Sequence, residues 1–110
     1  MTQAKNIAGL LIIWEFHIRP NCRKNFEKDY GPDGTWAELF RQGKGYLRTE
    51  LLRDPQNALR YCTMDFWTSR AAYEAFKKRH APEYNSIDKQ YESLTTKETH
   101  IGYFEAGTHS

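Results

Sequence analysis

Residues 10–19, LLIIWEFHIR, are rich in β-branched and aromatic side chains and stop at Pro20, which cannot continue a central strand. In an extended chain alternate side chains share a face. One face then carries Ile12, Trp14, Phe16 and Ile18; the other carries Leu11, Ile13, Glu15, His17 and Arg19. The second face is apolar in its first half and polar in its second. Asn21 is placed to cap a helix running to Tyr30, with Phe26 and Tyr30 four residues apart on one side. Gly31-Pro32-Asp33-Gly34 breaks that helix, and Thr35 is placed to cap a short one holding Trp36, Leu39 and Phe40. Gly43 and Gly45 end it.

A second strand over 46–53 and a third over 60–67 flank the turn Asp54-Pro55-Gln56-Asn57, which reads as a hairpin. Thr68-Ser69 then caps the longest helix. Its apolar stripe is Tyr73, Phe76, His80, Tyr84, Ile87, Tyr91 and Leu94, at spacings of 3, 4, 4, 3, 4 and 3. Pro82 breaks the helix locally while the stripe keeps phase. A last strand over 99–105 closes a βα–ββ–αβ order. That order predicts an α+β, ferredoxin-like βαββαβ fold: a four-stranded antiparallel sheet with both helices on one face. The domain is single, spanning 1–110 with a core of about 10–105.

Helices on one side leave the doubled apolar faces unexplained. Strand three repeats the feature of strand one, with Tyr61 and Trp67 on one face and Cys62, Met64 and Phe66 on the other. An uncovered sheet of this kind exposes a hydrophobic patch, so a two-fold homodimer with facing sheets, a dimeric α+β barrel, is predicted.

Composition narrows the function classes. The 110 residues are 39% hydrophobic, and seven Tyr, six Phe and three Trp supply the area that a core needs. Sixteen basic and fourteen acidic residues leave a net charge of +2, which gives no argument for a nucleic acid or a membrane. Lys77-Lys78-Arg79 reads as a solvated helix face. The longest apolar run, 8–14, is too short to span a bilayer and lacks a signal-cleavage pattern, so a cytoplasmic location is expected. Cys22 and Cys62 form no C-x-x-C and no Cys/His pair at metal spacing; two reduced thiols and no metal site are expected. An RNA-recognition sheet would need aromatics where strand three has R-Y-C-T-M-D-F, and a metallochaperone of this topology would need a pair of cysteines where Cys22 stands alone.

His80 interrupts an apolar stripe and is expected to face the cleft between sheet and helices. Burial favours the neutral imidazole, the form that accepts a proton. Trp14, Phe16, Tyr30, Trp36, Phe40, Tyr73, Phe76 and Tyr84 are expected to line an aromatic pocket around it, suited to a planar molecule. Trp36 stands out because it follows a glycine-rich break. A second, polar cluster is expected on the opposite sheet face, with Glu15 and His17 near Tyr61 and Asp65, and with Arg48, Glu50 and His100 close by.

Three segments carry a resemblance: W-E-F-H-I-R-P-N followed by Phe26; G-Y-L-R-T-E-L-L-R-D-P; and R-Y-C-T-M-D-F-W-T-S-R-A-A-Y-E-A-F. Over residues 10–105 the chain resembles the antibiotic biosynthesis monooxygenase family of dimeric α+β barrels. The resemblance to the haem-degrading branch of that superfamily is poor. Trp14 stands where its strand asparagine would fall, Phe76 where its helix tryptophan would fall, and His80 lies about two turns before its histidine. What the family resemblance implies is a cofactor-independent monooxygenase acting on a small aromatic or quinol-type compound. His80 would be its base, and Trp36 and Tyr84 would donate hydrogen bonds to the substrate anion. The alternative is a barrel of the same fold that binds an aromatic molecule or haem without catalysis.

Overall fold

A computed structural model describes residues 9–106, so the first residue of the apolar run 8–14 lies outside the described residues. Strands β1 (Leu10–Ile18), β2 (Tyr46–Asp54), β3 (Asn57–Trp67) and β4 (Thr95–Glu105) form one antiparallel sheet in the order β2-β3-β1-β4. Helices α1 (Arg23–Tyr30), α2 (Thr35–Phe40), α3 (Arg70–Arg79) and α4 (Ala81–Tyr91) cover one face of it. The fold is the α+β, ferredoxin-like one that the pattern of elements predicts. Among the described residues no helix is long and apolar enough to cross a membrane.

Local chemistry moves several boundaries. The hairpin turn is only Pro55-Gln56, because Asp54 Oδ1 accepts from the Gln56 N–H (2.8 Å) and Asn57 Oδ1 from the Leu59 N–H (3.0 Å). Pro20–Cys22 forms a 3₁₀ turn, and Cys22, not Asn21, precedes α1 without a side-chain cap. Gly34 precedes α2, leaving Thr35 inside it. The Thr35 hydroxyl donates to Asp29 Oδ1 (3.1 Å) and lies 3.2 Å from the Tyr91 hydroxyl, so it ties α1, α2 and α4 together.

The long helix is two helices. Ser69 caps α3 by accepting from the Ala72 N–H (3.0 Å), and His80, at φ −111° and ψ 26°, separates α3 from α4. Pro82 lies in the first turn of α4, where its missing N–H costs nothing. β4 starts at Thr95, four residues before the expected strand.

The core is aromatic. Phe26 stacks on Tyr30 with centroids 4.2 Å apart, and Phe16 meets both rings edge-on. Trp67, fully buried, meets Phe40, Tyr46, Tyr73 and Phe76 at centroid distances of 5.2–5.9 Å. Gly45 lets the chain into β2 pass tightly beside α3: its φ is +100°, and its carbonyl accepts from the Thr68 N–H at 2.7 Å.

The other sheet face has no helix. It carries Leu11, Ile13, Cys62, Met64 and Phe66, and Leu52 and Phe104 are each 47% exposed. Its polar half is an ion-pair ladder: Arg60 donates to both Glu15 and Asp54, and His17 Nε2 lies 3.8 Å from Glu15. The Arg60 guanidinium holds the Glu15 carboxyl below its ordinary range.

Candidate active site

Between the sheet and the helices lies a cavity of about 350 Å³ to which every strand and α-helix contributes. Its walls are Trp14 and Phe16 from β1, Tyr30 from α1, Trp36 and Phe40 from α2, Tyr73 from α3 and Tyr84 from α4. Thr49, Thr63 and Asp65 line it from the sheet, all three buried. Lys77, Asp88, Glu92 and Glu98 complete the lining.

Asp65 is the buried carboxylate of this lining. Its side chain is 7% exposed, and among the described residues no cation pairs with it. Burial pushes its carboxyl up to about 6, against a single hydrogen bond that pulls the other way: Thr49 Oγ1 donates to Oδ1 at 2.6 Å. With the Thr49 proton spent on the carboxylate, the Tyr46 hydroxyl, 2.7 Å away, must donate to Thr49. Tyr46, Thr49 and Asp65 therefore form one directed chain from the half-buried end of β2 to the cavity. A carboxylate of this affinity is ionised at neutral pH yet basic enough to take a proton from an activated substrate.

Two further side chains of the lining carry buried donors. Trp36 is 8% exposed, and its indole ring lies 5.0 Å from Tyr84 and 6.1 Å from Tyr30. Its N–H is near the Tyr30 hydroxyl but outside hydrogen-bond geometry, so it is buried without a partner. An orphaned buried donor carries a cost of about 1–3 kcal/mol, which an acceptor on a bound molecule would relieve. The Tyr84 hydroxyl is pushed up to about 12 by burial, and burial also raises Tyr73 and Tyr30; all three stay neutral donors at physiological pH. Lys77 Nζ sits 4.6 Å from the centre of the Tyr84 ring.

The sequence-derived pocket is corrected at two positions. His80 and Phe76 do not line the cavity. The backbone turn at His80 rotates its imidazole onto the Phe76 ring, 5.2 Å between centroids, where Nδ1 pairs with Glu83 Oε2 at 3.1 Å. His80 is thus a junction residue. The stripe that reaches the cavity is instead Tyr73, Lys77, Tyr84 and Asp88, two i,i+4 pairs on either side of the break.

The second cluster does not assemble. Opposite Tyr61 on β1 is Phe16, and opposite Asp65 is Ile12, so both lie on the helix-covered face, whereas Glu15 and His17 lie opposite Cys62 and Arg60 on the open one. Tyr61 is a core residue whose hydroxyl donates to Glu27 on α1. A register shift between Ile13 and Trp14 brings His100 opposite Trp14, with rings 4.9 Å apart. Arg48 and Glu50 pair with each other on the open face at 3.0 Å. Among the described residues no group of three or more His, Cys, Asp or Glu is arranged to hold a metal ion.

Solved structures share this architecture. SnoaB, a cofactor-independent oxygenase from Streptomyces nogalater, superposes in a single-residue variant with a TM-score of 0.75 at 20% identity, over 89% of this chain and 92% of that one. A second SnoaB structure gives 0.67 at 19% identity over 90% and 93%. A conserved protein from Methanosarcina mazei gives 0.67 at 11% identity over 89% and 92%. At these identities the likeness establishes the fold alone. Among curated protein sequences, none matches this chain. The sequence model for antibiotic biosynthesis monooxygenases does match, over residues 10–84, a stretch that takes in β1–β3, Trp36, Asp65 and Tyr84; the chain belongs to that family.

Proposed function

We propose that the protein is a cofactor-independent monooxygenase for a small aromatic or quinol-type compound, with Asp65 as the base. The observation that carries this reading is the pairing, in one aromatic cavity, of a buried carboxylate lacking a counter-cation with an unpartnered indole N–H. Membership of the family and the likeness to SnoaB support it. His80, outside the cavity, has no part in the reaction.

The chemistry follows from acid–base and redox balance. Asp65 removes a proton from an activated CH₂ or phenol of the substrate. The anion is delocalised over the rings, and its oxygen accepts from the Trp36 N–H and the Tyr84 hydroxyl. The electron-rich anion passes one electron to O₂, and the radical pair combines at carbon. Reprotonation gives a hydroperoxide, which loses water to leave a carbonyl. One oxygen atom enters the product and one becomes water; the four electrons that reduce O₂ come from the two C–H bonds of the CH₂, or from the O–H and the oxygenated carbon's C–H of the phenol.

The open sheet face supports a homodimer, in which Leu52, Phe104 and their apolar neighbours would meet a second copy. Native mass spectrometry and oxygen uptake on a quinol and anthrone panel test both parts. Dimers, uptake with stoichiometric quinone formation, a fall of at least about a hundredfold in Asp65→Asn and unchanged turnover in His80→Ala are the expected results. Full turnover in Asp65→Asn would remove the base from the scheme. Tight binding of the panel without oxygen uptake would leave a ligand-holding barrel.

A further inference from the structure

The charges around the cavity are unevenly distributed. Asp88, Glu92 and Glu98 line it from α4, the following turn and β4, against the single cation Lys77. The chain as a whole carries +2, so this local excess of negative charge runs against the overall balance. Among the described residues none of the three carboxylates forms an ion pair. Glu98 accepts from the Thr95 hydroxyl at 3.1 Å. Although Glu98 is exposed by surface area, its carboxyl is held above the ordinary range by partial shielding at the cavity and further by the nearby Asp88 and Glu92.

Lys77 does not neutralise the group. Its ammonium lies against the faces of Tyr84 and Tyr73, at 4.6 and 5.8 Å from the ring centres, and forms none of the ion pairs within 4 Å. Trp36 lines the same cavity, and its indole N–H is a buried donor without a partner. Aromatic walls beside unpaired carboxylates are the surroundings in which an ammonium group is attracted both by ring faces and by charge.

We infer that the cavity selects a positively charged aromatic: a planar compound with an oxygen acceptor directed at Trp36 and an amine directed at Asp88, Glu92 and Glu98. This rests on the cavity being the substrate site. It adds a charge preference that membership of the family does not carry.

The test is a matched set of probes: an aminomethyl-anthracene, a hydroxymethyl-anthracene and an anthracene carboxylate with the same substitution position. Binding is read from quenching of tryptophan fluorescence at neutral pH, in low and high salt. The expected order is amine, then alcohol, then carboxylate, with at least about a tenfold spread between the ends that narrows in high salt. In Asp88→Asn/Glu92→Gln/Glu98→Gln the spread between amine and carboxylate collapses. Equal affinities, a reversed order, or a spread that survives in the triple variant overturns the charge preference and leaves the substrate site standing. Failure of all three probes to bind overturns both.

Discussion

Asp65→Asn separates the physics of the buried carboxylate from its chemistry. The side chain is charged at neutral pH in a cavity that gives it one hydrogen bond and no cation, and its carboxyl sits at about 6 against an ordinary 3.8. A difference of about two in pKa corresponds to about 3 kcal/mol. The sign follows from proton counting. Between roughly pH 4 and 6 the folded state holds the Asp65 proton more tightly than the unfolded chain does, so stability falls as pH rises through that window and is flat above it. Asparagine keeps the acceptor for Thr49 and never ionises. Its amide adds two donors to a site with no evident acceptor, a cost of about 1–2 kcal/mol. The variant is therefore expected to be more stable than the parent by about 1–2 kcal/mol at pH 8 and less stable at pH 4. The variant-minus-parent difference swings by about 3 kcal/mol between those limits. Urea unfolding at both pH values, at one protomer concentration so that any association is held fixed, measures it. A difference that does not change with pH, or a parent that gains on the variant as pH rises, refutes the buried unpaired carboxylate.

Three further outcomes follow from the same packing. Thr49→Val removes the one hydrogen bond that lowers the Asp65 carboxyl, so the acidic limb of the pH–rate profile should move upward from about 6; an unmoved limb would disconnect Thr49 from the base. Trp36→Phe deletes an indole N–H that has no partner, so stability should change by less than about 1 kcal/mol, whereas affinity for a quinol-type ligand should fall about tenfold in fluorescence titration. Gly43→Ala places a Cβ 2.8 Å from Phe76 Cδ1 and 2.9 Å from the Trp67 ring, so the melting temperature should fall, with an overpacking cost of about 1–3 kcal/mol.

Periodicity carried most of the fold because each strand and helix buries one face against the same aromatic core. The alternation in 10–19 and the Ser69 cap of α3 are local signals that tertiary packing reinforces. Boundaries were less legible. Asp54 and Asn57 bond to backbone groups two residues on, and so tighten the turn beyond what its composition indicates. Thr35 caps nothing because its hydroxyl is spent on Asp29 and Tyr91, partners that only the tertiary structure brings near.

The site was legible where rings make it and illegible where a charge does. Seven of the expected rings line the cavity because large apolar side chains on covered faces have nowhere else to go. The sequence expectation sets Asp65 beside Glu15 and His17 as strand neighbours, although strict alternation from Trp67 through Asp65 and Thr63 to Tyr61 sets it on the covered face. Alternation is a steric rule of the backbone and holds whatever the side chain's solvation costs. His80 erred in the opposite direction: the helical phase was carried through a break at which the backbone leaves the helix, so the stripe reached the wrong residue. Asp65 is the acidic residue that period-two geometry places in the core against its solvation.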